Sequence, residues 1–152
     1  MIASKRGYYG LNIEKFDLSL LKFKKLVNKI KSKPNISYKQ VERLIKIYQG
    51  PYLEKKDYVW VDKYKVKLEK EYKKALLKAA DFYYQQQKYE KSEKILKLIL
   101  EIDFLYDSAQ KKLIKLFKTQ GRNDLAKSQY KKYQFTLTRD LGIELRIDYD
   151  EI

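Results

Sequence analysis

Apolar side chains recur every three or four residues along most of this chain, a spacing that gathers them on one face of a helix. From about Phe16 the first such stripe runs through Leu20, Phe23, Val27 and Ile30. Lysine and other polar residues fill most of the positions between them. The segment therefore predicts an amphipathic helix with one buried face.

The breaks between successive stripes carry stop and start signals for helices. Pro34 ends the first helix, and Ser37 followed by Gln40 predicts a capping box that starts the second. Gly50 and Pro51 end that second helix, since glycine adopts the left-handed turn and proline cannot continue a helix. Four more helices are predicted at about 58–86, 89–102, 105–120 and 123–141.

One sequence cue occurs twice, 34 residues apart, in the segments 87–92 and 121–126, each of which begins in a short turn between helices. A small residue opens the following helix each time, Ser92 and then Ala126. A period of 34 residues is typical of stacked helical hairpins, and turns this short require the joined helices to lie antiparallel. The pattern predicts an all-α fold in which about two hairpins repeat, and a protein that holds partners.

The two ends of the chain lie outside this helical pattern. Residues 1–13 contain an aromatic run between glycines and are predicted as an extended tail or short strand. Residues 144–152 alternate charged and apolar residues and end acidic, which is typical of a linker or tail. The helical domain is predicted to span residues 14–143.

The residue types that carry most catalysis and metal binding are rare or absent. The chain has no cysteine and no histidine, which excludes disulfides, thiolate metal sites and the commonest general base. Its five glycines form no phosphate-binding loop. We therefore predict no enzymatic activity, no catalytic residues, no metal and no cofactor. Because no apolar run approaches the roughly 20 residues of a membrane span, a cytoplasmic location is expected.

The net charge is +15, and lysine supplies 30 of the 35 basic residues. Such an excess suits a nucleic-acid or acidic-protein partner. The alternative is that lysine is common because an AT-rich genome encodes it, and that these side chains solvate outer helix faces. The scarcity of arginine favours the alternative, since phosphate forks and base readers use arginine.

Tyrosine occurs fifteen times and clusters in the repeat region. Tyr83 and Tyr84 in one cluster, and Tyr130 and Tyr133 in another, are candidate residues of a groove that binds a partner peptide. Core packing is the alternative, because helical spacing turns about half of such a run inward. Trp60, the only tryptophan, is predicted to pack between the second and third helices.

The chain contains, in order, Tyr48, Gly50, Leu53, Trp60, Gly121, Ala126 and Gly142. This order resembles the structural signature of the bacterial transcriptional activator domain of the antibiotic regulatory protein (SARP) family and related response regulators, and the similarity covers about residues 16–143. Ser92 stands where that family usually has alanine. The resemblance implies a tetratricopeptide-like right-handed stack of about six helices with a long third helix.

The resemblance also implies a function. Such a domain aids dimerisation, positions a winged-helix DNA-binding domain and contacts proteins of the transcription machinery. DNA would be bound through a domain missing from this chain, and the segment from Gly7 to Leu11 is similar to the last strand of that domain. Two alternatives remain: a free-standing helical-repeat adaptor for a peptide or protein, and a basic helical domain that binds nucleic acid directly.

Overall fold

The computed structural model describes residues 3–5, 8–10, 13–48, 59–144 and 148–152, with side chains for 20–48, 65–144 and 148–152. In this part of the chain six α-helices follow one another: α1 (Ile13–Ser32), α2 (Tyr38–Tyr48), α3 (Val59–Gln85), α4 (Tyr89–Ile102), α5 (Asp107–Thr119) and α6 (Asn123–Leu141). A short 3₁₀ helix covers Tyr149–Glu151. The predicted all-α class and its six helices are confirmed.

A short antiparallel hairpin precedes α1. Strand β1 (Ala3–Lys5) pairs with strand β2 (Tyr8–Gly10), and Ser4 lies opposite Tyr9. The sequence predicts only an extended piece here, whereas the structure pairs the aromatic strand with the residues just before it. Two strands of three residues are marginally stable by themselves in water, so their alternating pattern is too short to predict the pairing.

The chain divides into two compact units, Met1–Ala75 and Leu76–Ile152, and the boundary falls inside α3. The first unit contains α1, α2 and the first part of α3. The second contains the rest of α3 with α4, α5 and α6. The boundary between the units lies within the region 14–143, which is predicted as one helical domain.

The core of the first unit is built around three aromatic rings. Tyr48 of α2 stacks on Tyr72 of α3 with ring centroids 3.8 Å apart, and Phe23 of α1 tilts against both. Burial raises the pKa of the Tyr72 phenol. Among the described side chains of this unit, the other buried apolar ones are Val27, Ile30, Ile36, Val41, Leu44, Leu68 and Ala75. The aromatic cluster thus joins all three helices of the unit.

One helix start and one helix cap in the first unit differ from the prediction. Helix α1 begins at Ile13, three residues before Phe16, because the apolar stripe marks a buried face rather than the end of the backbone hydrogen bonding. Helix α2 begins after Ser37 as expected, with the Ser37 carbonyl accepting from the Gln40 backbone N–H at 2.9 Å. The capping box is wrong in its side-chain half: Gln40 Oε1 is buried and accepts no hydrogen bond from the described residues.

The second unit consists of two helical hairpins, one formed by the end of α3 with α4 and the other by α5 with α6. Helix α4 also packs against α5. Among the described residues of the second unit, the buried apolar side chains are Leu76, Ala79, Ala80, Tyr83, Ile95, Leu96, Ile99, Leu100, Ala109, Leu113, Ile114, Leu116, Phe117, Ala126, Tyr133 and Leu137.

The two hairpins share one turn geometry at an interval of 34 residues. Helix α4 begins at Tyr89 and α6 at Asn123. The residue two positions earlier lies in the left-handed region both times, Gln87 with φ 56° and Gly121 with φ 71°. Left-handed backbone suits glycine, so the repeat preserves the conformation even where the residue type has changed.

The hydrogen bonds that close these turns repeat as well. The Lys88 N–H donates to the Tyr83 carbonyl at 2.9 Å, and the Arg122 N–H donates to the Phe117 carbonyl at 2.9 Å. In both turns this bond spans six residues, which is the closure of a Schellman motif. Helix α6 ends at the predicted stop, Gly142, in the left-handed region with φ 63°.

Helix α5 starts later than predicted because a side chain stabilises the turn before it. Gln110 is fully buried, and its Nε2 donates to the Phe104 carbonyl at 2.5 Å. Its Oε1 accepts from Gln129 Nε2 at 2.7 Å. The turn therefore keeps Phe104 out of the helix, which begins at Asp107 rather than near Leu105.

Candidate functional site

A concave surface of the second unit encloses a volume of about 270 Å³. Its lining comes from the end of α3, from α4 and from α5: Asp81, Tyr84, Gln85, Ser92, Leu96, Lys112 and Lys115. Pockets that bury a whole small molecule enclose about 300 to 1,000 Å³. This volume suits one or two side chains of a bound polypeptide. We call this surface the α3–α5 cavity.

Charged side chains on two helices meet at this cavity. Lys112 Nζ of α5 lies 2.6 Å from Asp81 Oδ1 of α3, and both side chains are about 40% exposed. Lys115, one turn further along α5, adds a second positive charge to the lining. A pair this exposed is weakly stabilising, so a carboxylate from a partner can compete with Asp81 for the Lys112 ammonium group.

Tyr84 stands in the cavity wall in a fixed orientation. Its hydroxyl lies 2.8 Å from Thr119 Oγ1, and Thr119 donates its own hydroxyl hydrogen to the Lys115 carbonyl at 2.9 Å. The Tyr84 hydroxyl is therefore the donor to Thr119. The Tyr84 ring also meets Tyr89 edge to face, with centroids 5.6 Å apart. A held, half-exposed ring offers contact area at low cost in conformational entropy.

The floor of the cavity contains Ser92, the small residue that opens the second helix of the first hairpin. Ser92 is 1% exposed, and its Oγ donates to the Ala80 carbonyl of α3 at 2.9 Å. Leu96, one turn later on α4, is also buried and supplies the apolar part of the floor. The single hydroxyl hydrogen of Ser92 is used within the protein, so the floor offers a partner no hydroxyl donor.

The four tyrosines predicted to line a partner groove have different environments. Tyr83 and Tyr133 are buried at 3% and 2% exposure and belong to the core. The Tyr133 hydroxyl donates to Asp107 Oδ1 at 2.9 Å, and burial followed by this contact raises the pKa of Tyr133. Tyr84 lines the α3–α5 cavity, whereas Tyr130 packs edge to face on Tyr149. Of the four, Tyr84 is the one that lines this cavity.

The charged residues of the cavity were not singled out from the sequence. Lysines along α5 look like a solvated face when each helix is considered alone. A signal was nevertheless present, because Asp81 and Lys115 are 34 residues apart and so hold the same position in the two repeats. Equivalent positions in neighbouring hairpins lie on one face of a stack. Equivalent positions in the two hairpins therefore predict that Asp81 and Lys115 lie on one surface.

A second charged cluster lies between the hairpin turns. Arg122 Nη1 is 2.6 Å from Glu93 Oε2, and Lys97 Nζ is 2.7 Å from Glu93 Oε1. Burial pushes the pKa of Glu93 upward, but the hydrogen bonds from Arg122 and Lys97 outweigh it and leave the pKa below its ordinary value. The Arg122 guanidinium also lies over the Phe117 ring, 4.7 Å from its centroid. These contacts stabilise the turn, and the Arg122 side chain caps no helix N–H group.

The predicted signature residues serve the fold where they are described. Gly50 and Leu53 lie outside the described residues, and Trp60 lies in α3 with its side chain outside them. The remaining four are turn or packing residues: Tyr48, Gly121, Ala126 and Gly142. None of these four lines the α3–α5 cavity.

The described residues provide neither a cluster of metal ligands nor a membrane-spanning helix. Among the residues that the structure describes, acidic side chains form no group of three that would hold a metal ion. None of the described helices combines the length and the apolar character needed to cross a bilayer. Comparison with family models, curated proteins and solved structures gave no match to this chain.

Proposed function

We propose that this chain is the regulatory and protein-interaction domain of a bacterial transcription regulator of the SARP type. In this proposal, two tetratricopeptide-like hairpins bind a partner protein and position a DNA-binding domain encoded upstream. Its support comes from the ordered sequence resemblance together with the shared turn geometry of the two hairpins. The repeated left-handed residues, Gln87 and Gly121, are the geometric part of that support.

The α3–α5 cavity is the observation that favours a binding role. It offers a half-exposed ring, Tyr84, beside two ammonium groups, Lys112 and Lys115. A partner segment with one acidic and one apolar side chain fits this lining. The acidic side chain would take the position of Asp81 at Lys112, and the apolar one would lie against Tyr84 and Leu96.

The hairpin before α1 agrees with a DNA-binding domain upstream. A winged-helix domain ends in a β-hairpin, and β1 with β2 forms one directly ahead of the helical region. In the proposed full-length regulator this hairpin would complete the sheet of the preceding domain. That role gives the short strands the additional pairing that they need for stability.

Exposed apolar side chains are available for self-association, the other part of the proposal. Phe135 of α6 is 64% exposed and Leu141 is 54% exposed. The Arg139 guanidinium lies 5.6 Å from the centre of the Phe135 ring and covers it only in part. In sedimentation equilibrium, Phe135→Glu should weaken a dimer of this chain, whereas an unchanged dimer would exclude this residue from the interface.

The decisive experiment has two parts: the gene is sequenced upstream of Met1, and variants of the full-length protein are compared in a transcription assay. The reading frame upstream of Met1 should encode a winged-helix domain. In the full-length regulator, the double variant Lys112→Glu, Lys115→Glu should reduce activation of a reporter while operator binding is retained. The matched control is Lys94→Glu on α4, which changes charge away from the cavity. Normal activation by the double variant would refute the cavity as the partner site, and an upstream frame without a DNA-binding domain would favour a free-standing adaptor.

Direct nucleic-acid binding is the second candidate, and the net charge of +15 favours it. It predicts that this chain alone binds duplex DNA with an affinity that falls steeply with salt, because bound counterions are released. A titration between about 50 and 200 mM salt measures the slope. Absence of binding at the lowest salt would refute this candidate and leave the protein-interaction function intact.

A further inference from the structure

Residues 148–152 dock on the last helical hairpin through an aromatic ring and one backbone carbonyl. Lys118 Nζ of α5 donates to the Tyr149 carbonyl at 3.0 Å and lies 4.6 Å from the centre of the Tyr149 ring. Tyr130 of α6 meets the same ring edge to face, with centroids 5.6 Å apart. One side chain from each helix of the hairpin therefore holds Tyr149.

The charges around this ring are complementary. The docked segment carries three carboxylates on five residues, at Asp148, Asp150 and Glu151, while the chain as a whole is strongly basic. Burial, followed by the negative charges of Asp148 and Glu151, raises the pKa of Tyr130, which places those carboxylates within electrostatic range of the docking surface. The segment is thus an acidic, tyrosine-bearing ligand on a surface with a lysine.

This surface of the second hairpin corresponds in position to a wall of the cavity in the first hairpin. Lys118 is 34 residues after Tyr84, so it is the counterpart in the second hairpin of a residue that lines the α3–α5 cavity. In a helical stack, the face after the last hairpin is the face that the next repeat would cover. Here a single turn of 3₁₀ helix covers it, and Asp148, Asp150 and Glu151 remain exposed. A cover of a single helical turn is short enough to be exchanged for a partner segment.

We propose that the Lys118–Tyr130 surface is a second protein-interaction site, which recognises an acidic segment containing a tyrosine from a partner protein, and that residues 148–152 occupy it in the free chain. The partner segment replaces Tyr149 between Lys118 and Tyr130. Residues 148–152 are then released, and they compete with the partner whenever it dissociates. This site uses residues outside the α3–α5 cavity, so its existence does not depend on that cavity.

The test uses the full chain and an acetylated peptide with the sequence of residues 148–152. Backbone amide shifts in ¹⁵N–¹H spectra report binding at Lys118 and Tyr130. Because a tethered segment acts at an effective concentration in the millimolar range, Tyr149→Ala should bind the peptide about 10-fold more tightly than the wild type. Circular dichroism establishes that each variant is folded.

Two further variants locate the binding in the Tyr149→Ala background. Adding Lys118→Ala should weaken the peptide about 5-fold or more, because it removes both the hydrogen bond and the cation–π contact. Adding Lys94→Ala removes the same charge from α4 and should leave the affinity within about 2-fold. A peptide in which the tyrosine is replaced by alanine should lose binding at these amides.

Three results would overturn the proposal. Equal affinities of the wild type and Tyr149→Ala would mean that the chain's own segment does not compete. An unchanged affinity after Lys118→Ala, or shifts that map to other helices, would mean that the surface is not the binding site. Absence of binding to Tyr149→Ala at millimolar peptide would mean that residues 148–152 are only a cover for the last hairpin. None of these results bears on activation through the α3–α5 cavity.

Discussion

The two hairpin turns allow a reciprocal test of the repeat geometry. Gln87 and Gly121 occupy equivalent left-handed positions, with φ 56° and 71°. Replacing Gln87 with glycine removes a conformational penalty from the first turn. Replacing Gly121 with alanine introduces the same penalty into the second. We therefore expect opposite changes in the free energy of unfolding from two substitutions 34 residues apart.

The magnitude follows from two opposing effects. Left-handed backbone costs a residue with a side chain about 1–2 kcal/mol. Glycine loses about 0.4–1 kcal/mol more than alanine through the greater entropy of the unfolded chain. A Cβ added at Gly121 meets no atom within 4 Å, so no clash adds to the cost. The net change is about 1 kcal/mol of stability gained by Gln87→Gly and about 1 kcal/mol lost by Gly121→Ala.

Urea denaturation followed by circular dichroism at a helical wavelength measures both changes. The matched control is Gln86→Gly, one residue before the turn centre, where φ is not positive. At that position glycine adds only unfolded-state entropy, so the control should lose up to about 1 kcal/mol. The slope of the transition should stay constant, because none of the substitutions changes the surface exposed on unfolding.

Two outcomes would refute the reasoning. Destabilisation by Gln87→Gly equal to that of Gln86→Gly would mean that residue 87 is not held in the left-handed region. A neutral Gly121→Ala would mean that the second turn relaxes to another geometry at no cost. Either result would remove the structural equivalence of the two turns on which the hairpin repeat rests.

Three further predictions concern side chains that join the helices of the second unit. Ala126→Leu inserts a large side chain at a fully buried position and should cost about 1–3 kcal/mol of stability. Tyr133→Phe removes the buried hydroxyl that donates to Asp107 and should cost about 1 kcal/mol. Glu93 has a pKa below its ordinary value of 4.5 in the folded chain, so its contribution is present above pH 4.5 and is lost as the pH falls through the folded pKa. Arg122→Ala should therefore reduce the loss of stability below pH 4.5, as measured by urea denaturation at a series of pH values.

Each of these predictions has a result that contradicts it. A leucine tolerated at position 126 without cost would show that the helices do not approach closely there. Wild-type stability of Tyr133→Phe would show that the hydroxyl is equally well satisfied by water. An acid transition of Arg122→Ala identical to that of the wild type would mean that Glu93 is not held by the guanidinium group.

The sequence determined most of the backbone, because helix signals are local. The apolar spacing of three and four residues predicted six helices, and Gly142 stopped α6 where the structure has its left-handed cap. The start of α4 at Tyr89 and of α6 at Asn123 followed from the turns alone. Where a boundary depended on a side chain held by another helix, as at Phe104, which Gln110 contacts while bonded to Gln129 of α6, the prediction was two residues off.

Only the tertiary structure decided which side chains remain accessible. Two adjacent tyrosines on α3 lie in different environments: Tyr83 is in the core and Tyr84 lines a cavity. A helical period is too coarse to separate neighbours at the edge of a buried face. Likewise, Asp81 meets Lys112 across 31 positions of sequence because α5 packs beside α3, and no local pattern contains that distance. The candidate site therefore depends on how the helices pack, whereas the helices themselves can be predicted from the order of apolar and polar residues.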